Sequence, residues 1–199
     1  QAIETGYAAL AWAFKARQKL AGKDAPVFVA GEEAGGNLAA AVALMARDQA
    51  HPPLAGQILL SPMLDPCVGS ASQRRTTGDA VDCKWVQGWR NFLRCPRDAE
   101  HPYAVPASAH RLAGLPPTLV LVGDTDPMRD EALAYAARLH AAGLQVTQHV
   151  FAKAEKWPEP LLETGPHECP CAGAVQEEFR RFFEATRRSE ERRVGKECL

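Results

Sequence analysis

Glu33 stands at the centre of the run Val27-Phe-Val-Ala-Gly-Glu-Glu-Ala-Gly-Gly-Asn-Leu-Ala39, and the spacing around it is that of a reactive turn. Gly31 and Gly35 flank it symmetrically, a β-branched and aromatic run precedes it, and an alanine-rich run opened by Gly35 and Gly36 follows. A strand turning abruptly into a helix between such glycines is the frame of a nucleophile elbow. The central side chain of that frame is held out on a strained turn that a neighbouring Cβ would crowd. Acyl transfer there needs a hydroxyl that an imidazole can deprotonate and donors aimed at the developing oxyanion. The frame G-x-S-x-G supplies the hydroxyl as serine; here the position holds a carboxylate. Serine-type turnover is therefore not expected.

A carboxylate at the crest has two other uses. It can attack as a covalent nucleophile, which then needs a base for the second step. Alternatively, its oxygens can occupy the place of the oxyanion and satisfy the orphan N–H groups of the helix start. The helix N-terminus favours an ionised Glu33, while burial and Asp126 oppose it. The helix end is expected to prevail, leaving Glu33 charged. The second use gives a catalytically silent site that binds a small ester-like ligand, and a satisfied buried anion favours it. Both uses stay open at the level of sequence.

The elements that must position Glu33 follow from hydrophobic spacing. Tyr7, Leu10, Ala11 and Phe14 share one face of a helix over Glu4–Leu20, which Gly22 stops. Strands are expected at Val27–Ala30, Gly56–Ser61, Thr118–Val122 and Gln145–Phe151, the second apolar enough to be covered on both faces. Helices fill the intervals: one from the elbow to about Asp48, one after Asp126 ending near Gly143, and a last one over Gly173–Thr186. Alternating strands and helices imply an α/β fold with a parallel sheet. Ligands in such sheets bind beyond the carboxyl ends of the strands, and Glu33 and Asp126 both fall just past strand ends. Residues 65–106, rich in Cys, Arg, Trp and Pro, read as an excursion over that rim with a helical piece near Lys84–Leu93. Trp85 and Trp89 on this piece could line a pocket; their spacing suits packing, with one ring turned to the pocket.

Composition narrows the function classes. The 199 residues carry a formal net charge of −1 and are 46% apolar, which describes one domain with a sizeable core and gives no reason for a nucleic-acid partner. No apolar run reaches the length of a membrane span. His167, Cys169 and Cys171 form H-x-C-x-C, too tight and without a second pair for a metal site, so no metal and no cofactor is expected. Setting aside Cys198, the cysteines are odd in number and irregular in spacing, and reduced thiols are expected. The chain opens on Gln1 in a helical pattern, which reads as upstream sequence missing. Residues 188–199 are polar, follow a helix read as finished, and are taken as a non-native tail. The cytoplasm is the default compartment.

With these residues in view, the chain resembles the α/β-hydrolase fold-3 family, the acetyl-esterase and hormone-sensitive-lipase-like carboxylesterases. Gly31-Glu-Glu-Ala-Gly-Gly-Asn-Leu-Ala39 is similar to the family's G-D-S-A-G-G-N-L-A. Pro62-Met-Leu-Asp65, His101-Pro-Tyr-Ala104, Gly114-Leu-Pro-Pro117 and Asp126-Pro-Met-Arg-Asp-Glu131 match further landmarks in order. The resemblance implies an α/β-hydrolase domain over 1–187 that lacks the N-terminal strands and the H-G-G-G oxyanion loop. It puts Glu33 at the nucleophile position, makes Asp126 the triad acid, and has Ala34 supply an oxyanion N–H. The family's histidine follows the fourth strand, where Phe151-Ala-Lys-Ala-Glu-Lys-Trp157 has none, so His167 is the substitute; His149 lies within the strand. Related folds, the epoxide hydrolases and haloalkane dehalogenases, use an elbow aspartate as nucleophile. Within the family itself, the gibberellin receptor keeps the pocket with a triad residue lost.

Overall fold

The computed structural model describes residues 1–77, 84–153, 157 and 170–197, with side chains to 188. Its elements run α1 (Ala2–Leu20), β1 (Phe28–Glu32), α2 (Ala34–Asp48), β2 (Gly56–Leu60), α3 (Ala71–Thr77), α4 (Lys84–Phe92), β3 (Thr118–Gly123), α5 (Arg129–Ala141), β4 (Val146–Phe151) and α6 (Ala172–Glu197). The four strands form one parallel sheet in the order β1-β2-β3-β4. Helices cover both faces, so this is the α/β fold that the alternation of strands and helices implies.

Successive side chains of a strand point to opposite faces, and the core is divided accordingly. Leu59, Val120 and Val122 turn toward Ala40 and Leu44 of α2 and Tyr135 and Leu139 of α5. Ile58, Leu119 and Leu121 turn the other way, onto Phe182 of α6 and Phe151. The helix α1 adds a third layer, its Leu10 packing on Val42 and Ala46 of α2. Between β2 and β3, the buried Gln57 amide donates to Thr118 Oγ1 at 2.8 Å.

The landmark motifs are contacts between distant pieces of chain. A Cβ on Gly36 would lie 2.9 Å from Pro62 Cα, which lets α2 lie against the end of β2. Glu131, in the first turn of α5, accepts the main-chain N–H groups of Leu64, at 2.8 Å, and Asp65. These bonds fix where the excursion leaves the sheet.

Several expectations need correction. β1 continues through Gly31 and Glu32 because its pairing with Leu59 and Leu60 continues. The short helix α3 was not legible, since Ala-Ser-Gln-Arg-Arg-Thr-Thr has no apolar period. Its Ser72 and Gln73 are held by Asp130 and Glu131 instead. The last helix does not finish at Thr186 but runs to Glu197 without a break. Cys171 is disulfide-bonded, contrary to the reduced thiols expected, while Cys67 and Cys95 are free; cysteine spacing along a chain says nothing of which sulfurs meet in space.

Candidate active site

The turn at Glu33 has the geometry that its flanking residues imply. Glu33 adopts φ 47°, ψ −116° between the end of β1 and the start of α2. Such a backbone is costly for a residue with a Cβ and persists only where its surroundings fix it. Here the end of β2 and the turn after it hold it from both sides: Glu33 N–H donates to Leu60 O, and its carbonyl accepts from Met63 N, each at 3.0 Å. Gly31 is obligatory, because a Cβ there would lie 2.0 Å from Gly35 O. Gly35 is different: a Cβ would meet nothing within 4 Å. The crowding expected on both sides of Glu33 thus falls on Gly31 and Gly36.

The half-buried Glu33 carboxylate makes no capping hydrogen bond to the helix it precedes. The orphan N–H groups at the start of α2 are therefore not satisfied by a side-chain cap from Glu33. Its pKa is raised, first by burial and then by Glu32 and Asp126, while Lys84 acts in the opposite sense. The balance expected from the helix end is therefore reversed in sign.

Asp126 sits just past β3 and is 2% exposed. Its Oδ1 accepts Met128 N–H at 2.7 Å. Its Oδ2 accepts Ser61 Oγ–H and, at 2.9 Å, the indole N–H of Trp157. Burial raises the Asp126 pKa above the ordinary carboxyl range, with these three donors and the charge of Lys84 pulling it down. Ser61 and Trp157 were not singled out in the sequence. The signal for Trp157 was an aromatic residue in the stretch where an imidazole was missing; for Ser61, a polar residue closing an otherwise apolar strand.

A cavity of about 140 Å³ opens beside the turn, lined by Ala34, Asn37, Leu38, Met63, Trp89 and Phe92 among others. Its walls are almost wholly apolar, which suits a small apolar group of a ligand. Trp89 lines it, whereas Trp85 packs with Met63, Val105 and Met128 in the cluster beneath and is not among its walls. Ala34, the first residue of α2, brings the cavity up to the helix start. His167 lies outside the described residues, as does Cys169. Among the described residues there is no cluster of His, Cys, Asp and Glu able to hold a metal, and no helix long and apolar enough to cross a membrane.

The chain is similar to known proteins in sequence and in fold. A family model described as alpha/beta hydrolase fold matches residues 1–155. Esterase LipI of Mycobacterium tuberculosis is 32% identical over 152 residues, covering 74% of this chain and 47% of LipI. Gibberellin receptor GID1A of Arabidopsis thaliana is 36% identical over 155 residues, covering 73% of this chain and 44% of the receptor. Among solved structures, a thermostable esterase from Pseudomonas putida superposes with a TM-score of 0.67 at 35% identity, over 75% of this chain and 49% of that one. The chain spans about half the length of the curated relatives it matches.

Proposed function

The chain belongs to the α/β-hydrolase fold-3 esterase family, and from that premise we propose that its elbow holds a small ester-like ligand without turning it over by the serine route. The observation that carries this reading is Glu33 itself: the crest of the strained turn bears a carboxylate. Removing a triad nucleophile leaves only the residual rate that binding and oxyanion donors supply. What the site retains is a shaped recess with Ala34 at its lip and Trp89 in its wall, which supports binding. The names of the relatives include both esterases and a hormone receptor, so the family accommodates either outcome. The reading keeps the partner a small molecule, with neither nucleic acid nor membrane, and the cytoplasm as the compartment. It also keeps 1–187 as the domain and 188–199 as a tail.

Short p-nitrophenyl acyl esters test it. Expected is no turnover above the uncatalysed rate, together with saturable binding of a non-hydrolysable short ester detected by calorimetry. Turnover that disappears in Glu33→Gln would overturn the reading and establish the carboxylate as a nucleophile.

A further inference from the structure

Trp157 is seated beside Asp126 by contacts with four residues. Its indole N–H donates to Asp126 Oδ2 at 2.9 Å and approaches Ser61 Oγ at 3.2 Å. Its ring stacks on Phe151, with centroids 4.8 Å apart and planes 19° from parallel. Its edge lies over Gly123, where a Cβ would come within 2.5 Å of the indole Cδ1. The glycine that closes β3 is thus part of the seat: any larger residue there would expel the ring. The ring is held between the ends of two adjacent strands, by Gly123 of β3 and the Phe151 ring of β4, and bonded to the carboxylate.

Triad chemistry needs the acid to orient an imidazole through one hydrogen bond, so that the other ring nitrogen can take a proton. An ionised carboxylate offers about four acceptor positions. On Asp126 three are engaged, by Met128 N–H, Ser61 Oγ–H and Trp157 Nε1–H. An indole N–H donates only and has no lone pair with which to accept a proton. We infer that Trp157 is the positioning partner of Asp126, its indole N–H holding on Oδ2 the place that a general-base imidazole would need. The inference does not rest on the reading of Glu33. Even with a hydroxyl on the crest, the group held by Asp126 Oδ2 could not take its proton, so serine-type hydrolysis through this acid is hindered at a second, independent point. Asp126 in this chain holds the Trp157 indole N–H where an imidazole N–H would be held.

Indole resonances in ¹H–¹⁵N spectra of the full chain test this directly. The chain has four tryptophans, and the signal lost in Trp157→Phe identifies the one concerned. Its indole proton is expected to exchange with water more slowly than that of Trp12, which is 65% exposed. It is also expected to move in the isosteric variant Asp126→Asn while the Trp12 and Trp85 signals stay in place. A Trp157 signal indifferent to Asp126→Asn, or exchanging as fast as that of Trp12, would overturn the assignment. In a second measurement, Glu33→Ser is exposed to a fluorophosphonate probe. Expected is no adduct at position 33; an adduct there that is abolished by adding His167→Ala would show that a histidine, and not the indole, serves Asp126. That result would refute the inference while leaving the proposal for the unsubstituted chain standing, so the two fail separately.

Discussion

The Asn37 side chain donates to the main-chain carbonyl of Ala104 at 2.9 Å, joining the first turn of α2 to a point 67 residues further along the chain. Asn37 is 3% exposed. The bond ties the elbow helix to the end of the excursion, at a residue that also lines the cavity.

Replacing Asn37 with Ala removes that donor and leaves a carbonyl without it, which should cost about 1–2 kcal/mol. Asn37→Asp should cost more, because it sets a buried charge against the same carbonyl. Urea midpoints of the two variants check the order; an Asp variant as stable as the Ala variant would contradict it.

The two glycines beside Glu33 should respond in opposite ways. Gly31→Ala drives a methyl group into Gly35 O, an overlap of backbone with no relief, and should cost more than about 3 kcal/mol. Gly35→Ala enters open space in the first turn of α2 and should be neutral or stabilising by up to about 1 kcal/mol, the helix preference of Ala over Gly. Thermal melts of the pair decide it.

Glu131 should make stability fall as the solution becomes alkaline. Burial raises its pKa from 4.5 to about 8, against the pull of the Leu64 and Asp65 N–H groups. The folded chain therefore keeps a proton that the unfolded chain releases between those two values. Stability is full below the lower value and declines through the interval, at no more than about 1.4 kcal/mol per pH unit. Melting temperature against pH should slope downward there, and Glu131→Gln should flatten the slope.

Glu33 follows the same sign on a smaller scale, because it is only half-buried and solvent screens it. A raised carboxyl pKa means that ionisation disfavours the fold. Glu33→Gln should therefore raise the melting temperature more at pH 8 than at pH 5, by an amount worth under about 1 kcal/mol. An equal gain at both values would show that the charge is not the cause.

Much of this was legible along the chain and some was not, for physical reasons. The sheet and its long helices could be read because Ile58-Leu-Leu60 and Thr118-Leu-Val-Leu-Val122 are apolar without interruption and Ala132, Tyr135, Ala136 and Leu139 recur at helical spacing. The elbow could be read because a strained turn demands small residues locally. The helix α3 could not, since side-chain bonds to α5 hold it in place of an apolar stripe. Trp157 was hidden because its role depends on Phe151, Gly123 and Asp126 meeting in space. The missing cap bond of Glu33 was not legible either, because residue type sets the charge but not which N–H groups a side chain on a strained turn reaches.

The Gln57–Thr118 bond between the two central strands has a consequence for how the chain assembles. Both partners are fully buried amid aliphatic neighbours. If β3 slid by one residue, Thr118 would turn to the other face and the Gln57 amide would lose its buried partner, a misalignment that apolar strands by themselves would tolerate. One amide and one hydroxyl thus act as a key, admitting a single alignment of two strands that grease could otherwise have joined in several.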